Sequence, residues 1–166
     1  MELKELIKKI EQWAIDRELD KKATVEAQAI KTAEEMAELI IGISKDNIEV
    51  IKDSIGDVFV TLVIGNMIDE NFYIEEFIED ARRRVSVNED KKSKCKFISD
   101  LGESISHIAY WKYGEEEIKF ALMDIIRASQ FYDLDFTDCI ESAYNEIKDR
   151  KGVLKNGCFV KEDDLK

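Results

Sequence analysis

The sequence predicts an all-α protein, a helical bundle closed by a small C-terminal β-hairpin. Proline is absent and glycine occurs only seven times, which removes both the usual helix breakers and the punctuation of a many-stranded β protein. Apolar residues recur every three or four positions through one segment after another, the period of an amphipathic helix. Hydrophobic residues make up 45% of the chain, with eight Phe, five Tyr and two Trp, so 166 residues can fill one core although 37% are charged. A single domain over residues 1–166 is expected.

The elements follow in order. Leu3, Ile7, Ile10, Trp13 and Ala14 form the stripe of a first helix, and the polar stretch Asp16 to Lys22 loses the pattern. A second helix carries Ala29, Ile30, Ala33, Met36, Ala37, Ile40 and Ile41, and stops at Gly42 and the polar run Ser44-Lys45-Asp46-Asn47. A third begins near Ile48 and is apolar almost all round from Val58 to Met67, which marks a central place in the core. A fourth, Ile74 to Val87, contains Arg82-Arg83-Arg84, and the charged stretch Asn88 to Lys96 reads as an exposed connector.

Downstream the pattern partly repeats. Asp100-Leu101-Gly102-Glu103 copies the acid spacing of Glu35 and Glu38, Lys119 through Asp124 copies Lys52 through Asp57, and Ile140-Glu141-Ser142-Ala143 echoes Ile78-Glu79-Asp80-Ala81. An internal duplication with halves 1–87 and 97–152 would explain this, as would the general likeness of amphipathic helices. If the duplication is real, the second copy has lost acids and is not a full metal site. At the end of the chain, Asn156-Gly157 between apolar residues is a strong hairpin signal.

Charge narrows the function classes. With 37 acidic against 25 basic residues the formal charge is −12, which repels duplex nucleic acid and anionic membrane surfaces. No window reaches the ~20 apolar residues of a membrane span. Cys95, Cys139 and Cys158 form no CxxC pair and the start Met1-Glu2-Leu3-Lys4 is charged, so a reduced cytoplasmic protein is expected. His107 is the single histidine, which disfavours zinc, a Ser-His-Asp triad and an ExxH di-iron pair, and a structural role is expected for it. Trp13 and Trp111 lie on apolar helical faces and read as core residues, with base stacking as the other possibility.

Two acid clusters carry the chemistry, Glu34-Glu35-Met36-Ala37-Glu38 and Asp53-Ser54-Ile55-Gly56-Asp57. Residues three or four apart share a helix face, so Glu35 stacks with Glu38 and Asp53 with Asp57. If the two helices run antiparallel, four carboxylates converge, and an all-oxygen cluster suits Mg²⁺ or Mn²⁺. The bland alternative is two solvated helix faces. Lys148, Arg150 and Lys151 gather positive charge at the end of the last helix, as caps of the helix dipole or as a phosphate site.

These residues resemble the MazG-like all-α nucleoside triphosphate pyrophosphohydrolases. Glu35-Met-Ala-Glu38 is similar to that family's ExxE motif and Ser54-Ile-Gly-Asp57 to its ExxD motif. The close Ala-Tyr-Asn145-Glu-Ile-Lys148-Asp-Arg150-Lys151-Gly followed by Asn-Gly resembles the end of short phage and bacterial members. The resemblance covers residues 1–70 and 134–165. The duplicated helical unit of the related dimeric dUTPases fits the faint repeat. It implies a Mg²⁺-dependent, homodimeric enzyme that hydrolyses a (deoxy)nucleoside triphosphate to monophosphate and pyrophosphate. Metal would sit on Glu35, Glu38, Asp53 and Asp57, and Glu35 or Glu38 would serve as base. Asn145, Lys148, Arg150 and Lys151 would hold substrate, with Glu34 in reserve to orient a ligand or water. Where the family has Glu three residues before Asp57, this chain has Ser54, and the nearest acid is Asp53. The rival expectation is a MazG-like scaffold without turnover that binds a partner.

Overall fold

In a computed structural model that describes residues 1–70, 74–87 and 93–162, eight helices surround one apolar core. They are α1 (Leu3–Asp16), α2 (Leu19–Lys22), α3 (Val25–Lys45), α4 (Ile48–Ile68), α5 (Ile74–Val87), α6 (Lys94–Trp111), α7 (Glu115–Phe131) and α8 (Phe136–Ile147). Strands β1 (Gly152–Lys155) and β2 (Cys158–Lys161) follow.

The stripe of α1 buries Leu6, Ile7, Ile10, Trp13 and Ala14, as its spacing requires. The aperiodic stretch after it still holds one helical turn, α2, anchored by the buried Leu19 and entered through Glu18 at φ 59°. Helix α3 begins upstream of its first expected apolar residue, because the Thr24 hydroxyl accepts a hydrogen bond from the Ala27 N–H and caps it. Only Asp46, at φ 50°, and Asn47, whose side chain caps α4, separate α3 from α4. So short a link folds the pair into an antiparallel hairpin. Gln28 Nε2 donates to the Thr61 carbonyl at 3.2 Å, at the open end of that hairpin.

Helix α4 is buried along the whole run Val58–Asn66 and packs against α1, α3, α7 and α8. Close approach is arranged by small residues. A Cβ on Gly56 would stand 2.5 Å from the Cys139 carbonyl oxygen and 2.6 Å from the Ala143 Cβ, so α8 lies directly on the α4 backbone. The Tyr113 ring fills the equivalent space over Gly65, and its hydroxyl is 2.7 Å from Thr32 Oγ1. Helix α3 also packs on α6, and α5 packs on α7. Each hairpin, α3–α4 and α6–α7, is therefore covered by the helix that follows the other.

Strands β1 and β2 pair antiparallel, Gly152 opposite Lys161 and Lys155 opposite Cys158. Asn156 and Gly157 both have positive φ, 54° and 79°, the type I′ turn that Asn-Gly favours. The hairpin is tied to the start of α3, where the Thr24 N–H donates to the Gly157 carbonyl at 3.1 Å, and to α1, where Phe159 meets Trp13 edge-on at 5.3 Å.

Two expectations are corrected. Trp111 is not core: it is 62% exposed at the last residue of α6, where the chain turns away at Lys112, and its ring meets only Tyr110 among the described aromatic contacts. The expected connector is shorter than Asn88 to Lys96, since Ser93 caps α6 and Lys94–Lys96 are its first turn; residues 88–92 lie outside the described set. No helix among the described residues is long and apolar enough to cross a membrane.

Candidate functional site

The α3–α4 hairpin sets Glu35 opposite Asp57. Glu35 is buried, 6% exposed, and its Oε1 is 2.5 Å from Lys31 Nζ one turn earlier, with Glu34 3.2 Å from the same ammonium. Burial alone would lower Lys31, but the hydrogen bond and charge of Glu35 outweigh it and hold the ammonium above its ordinary pKa. Asp57 is raised from 3.8 to about 7, first by burial and then by the charges of Glu35 and Asp53. Glu38 and Asp53 stand further toward solvent. Burial and then Glu35 raise Glu38, and burial and then Glu146 raise Asp53, against the pull of Lys161 and Arg150.

Glu35 and Asp57 line a partly open cavity of about 70 Å³ together with Lys31, Gln28, Thr61 and Arg150. Trp13, Leu19, Ile64 and Phe159 are its apolar lining, and Lys161 on β2 also lies in its wall. That volume holds a few waters, and the cavity is partly open to solvent. Asp53 opens instead into an adjoining cleft with Glu49, Lys52, Ser142 and Glu146.

The four predicted acids thus share one electrostatic field, with Glu35 and Asp57 lining the cavity and Glu38 and Asp53 exposed outside it. The basic residues divide. Arg150 lines the cavity, its Nη2 3.9 Å from Glu146 and its carbonyl held by Arg17 at 2.8 Å. Lys148 and Asn145 are exposed and bind each other, Nζ to Oδ1 at 2.9 Å, and Lys151 is exposed; none of the three lines the cavity. Glu34 is exposed beside Lys31, and Ser54 is buried.

Sequence reasoning missed Lys31, Gln28, Glu146 and Lys161. The first two were within reach, because 28, 31, 35 and 38 share one face of a helix. Glu146 and Lys161 arrive through long-range packing of α8 and the hairpin, which local spacing does not encode.

No group of three His, Cys, Asp or Glu side chains among the described residues stands at metal-ligand spacing as it is. The donor chemistry nevertheless suits a hard cation. The acids are all oxygen donors, and Asp57 is raised by burial first and then by the charges of Glu35 and Asp53. At Glu35 Oε1 a cation competes with the Lys31 ammonium.

The chain is similar to an uncharacterized 18.2 kDa protein from the rep-hol intergenic region of Haemophilus phage HP1, 54% identical over 63 residues, which are 38% of this chain and 39% of that protein. The chain therefore spans well under half of the curated relative it matches. No family model matches the chain, and no solved structure matches it.

Proposed function

We propose that this protein is a MazG-like, metal-dependent nucleoside triphosphate pyrophosphohydrolase that converts a (deoxy)nucleoside triphosphate to the monophosphate and pyrophosphate. The observation that carries the reading is the gathering of Glu35, Glu38, Asp53 and Asp57 on one hairpin beside Arg150 and Lys161. Glu35, Asp57 and the outer acids Glu38 and Asp53 would hold Mg²⁺ or Mn²⁺, which when bound neutralises charge developing on the phosphate oxygens.

The chain's own groups do the rest. Glu38 faces solvent with its pKa raised, which suits a base that takes the proton of an attacking water, while buried Glu35 suits a ligand. Water oxygen bonds to phosphorus, the bridging P–O bond breaks, and pyrophosphate leaves. Lys31, Arg150 and Lys161 supply the cationic field that phosphates need in an acidic protein. The apolar end at Trp13 and Phe159 offers aromatic surface to a base.

The test is a panel of ribo- and deoxyribonucleoside triphosphates with Mg²⁺, scored for pyrophosphate against orthophosphate. Pyrophosphate release that Glu35→Gln and Glu38→Gln abolish, with helix content unchanged, is the expected result; full activity in both variants sinks the assignment. The second reading, a partner-binding scaffold without turnover, is favoured by the Lys31–Glu35 ion pair, which occupies a ligand position, and by Ser54 in the second motif. It predicts no rise in melting temperature with Mg²⁺ or Mn²⁺, whereas a cation that binds only the folded state raises it.

A further inference from the structure

Helix α8 ends without a cap of its own. Lys148 keeps helical angles, φ −51° and ψ −39°, in place of the left-handed residue that commonly closes a helix. The carbonyls at this end find donors on α1 instead. Trp13 Nε1 donates to the Ile147 carbonyl at 2.7 Å. Arg17, one turn after Trp13, donates from Nη2 to the Arg150 carbonyl at 2.8 Å and reaches that of Lys148 at 3.5 Å, while its Nη1 donates to the Trp13 carbonyl at 3.2 Å. The guanidinium also rests on aromatic surface, with Cζ 4.4 Å from the centre of the Trp13 ring and 6.0 Å from that of Phe159. A planar guanidinium can stack by its face and donate from its edge at the same time, which a lysine ammonium cannot.

The chain beyond α8 takes its direction from this clamp. Arg150, whose carbonyl Arg17 holds, turns its side chain into the cavity wall. Strand β1 begins two residues later, and β2 brings Phe159 and Lys161 to the same wall. At the far end of the hairpin the Thr24 N–H donates to the Gly157 carbonyl. Both cations of this wall, Arg150 and Lys161, therefore stand on a segment tied at its root by Arg17 and at its tip by Thr24. Arg17 itself lies outside the cavity lining and acts on the wall through backbone and aromatic contacts.

We propose that Arg17 is the positioning residue of the cavity's cationic wall: by holding the Arg150 carbonyl and the aromatic root of the hairpin, it aims Arg150 and Lys161 at the phosphates of a bound nucleoside triphosphate. This rests on the reading of the cavity as a triphosphate site. It makes a claim of its own, because Glu35, Glu38, Asp53 and Asp57 stand on α3 and α4, to which Arg17 makes no bond among the described residues. Loss of Arg17 therefore separates phosphate binding from metal binding.

The experiment compares wild type with Arg17→Met, which keeps an unbranched stem on Trp13 and removes the carbonyl bonds. Calorimetry with Mg²⁺ and the non-hydrolysable α,β-methylene analogues of the four deoxynucleoside triphosphates gives the dissociation constant, and pyrophosphate release gives KM and kcat. In Arg17→Met both the dissociation constant and KM are expected to rise about tenfold or more, with kcat within about threefold. Mn²⁺ binding, read from the electron paramagnetic resonance of the free ion, is expected to stay within about twofold. Hydrogen exchange of the hairpin amides is expected to quicken about tenfold or more while α3 and α4 keep their wild-type rates. Adding Arg150→Ala to Arg17→Met is expected to raise KM less than about threefold further, because the two residues act through one contact. Arg17→Lys is the companion variant should the methionine fail to fold, with the same expectations. Absence of triphosphate binding in wild type overturns the reading of the cavity and this proposal with it. Four results overturn the proposal alone: wild-type triphosphate affinity in a folded variant, unchanged hairpin exchange, Arg17 and Arg150 effects on KM that multiply in full, or failure of both Arg17 variants to fold, since the clamp would then hold the fold and not the wall.

Discussion

Asp57 concentrates the electrostatics of the first site. Its folded pKa of about 7 exceeds its ordinary 3.8, so folding favours the protonated form. The stability this contributes is complete below about pH 4 and is lost as pH rises through about 7, with a ceiling on the order of 4 kcal/mol. Metal-free protein is therefore expected to melt at lower temperature at pH 8 than at pH 5, and Asp57→Asn to flatten that slope; an unchanged slope in the variant shifts the burden to another acid. Mg²⁺ or Mn²⁺ binds the carboxylate form, so the melting-temperature rise with metal is expected to be larger at pH 8 than at pH 6. Lys31 gives a second residue-scale prediction. Lys31→Met leaves buried Glu35 without its cation, which should cost about 1 to 3 kcal/mol in the metal-free protein, and should enlarge the stabilisation by Mn²⁺ because the competing ammonium is gone. Equal metal response in wild type and variant would mean that Lys31 and the metal do not meet at Glu35.

At the scale of elements, much of the architecture was legible because its signals are local. The stripe of α1, the all-round apolar run of α4 and the Asn156-Gly157 turn each follow from a period or a dipeptide. The start of α3 and the short α2 were not, since they depend on the Thr24 cap and on the burial of Leu19 by distant elements. Trp111 failed for a related reason: its helical spacing fits an apolar face, but α6 ends at that residue and the turn at Lys112 sends Tyr113 into the core instead. In the site, the acid pairs were legible as i,i+3 and i,i+4 spacings, while Lys161 and Glu146 depended on how α8 and the hairpin fold back. The contact that brings α8 onto α4 is tested at Gly56. A methyl there collides with backbone and with Ala143, and neither can yield as a flexible side-chain tip would. Gly56→Ala is expected to destabilise by about 1 to 3 kcal/mol and, by displacing α8, to disturb Arg150 and Glu146 at the site. Denaturant unfolding reads the first effect; a wild-type midpoint would mean the helices separate at little cost.

For the whole molecule, the formal charge of −12 sets the problem that any polyphosphate ligand has to meet. Long-range repulsion is screened over about 8 to 10 Å at physiological salt, so the outcome is decided by cations close to the phosphates. Two groups of basic residues compete for that role at the end of the chain. Arg150 sits in the cavity wall with its backbone pinned by Arg17, whereas Lys148 is turned to solvent and bonded to Asn145. The fold therefore ranks them, and Arg150→Ala is expected to raise KM for a nucleoside triphosphate by about tenfold or more, the loss of roughly one charge-assisted hydrogen bond. Lys148→Ala is expected to change KM less than about threefold, through the screened field alone. Raising the ionic strength should narrow the small effect of Lys148 and leave most of the Arg150 effect, because a partly buried contact is screened less than an exposed one. The reverse ranking, with Lys148→Ala the more damaging variant, would place the phosphates on the outer face of the α8 terminus and exclude Arg150 as their principal contact.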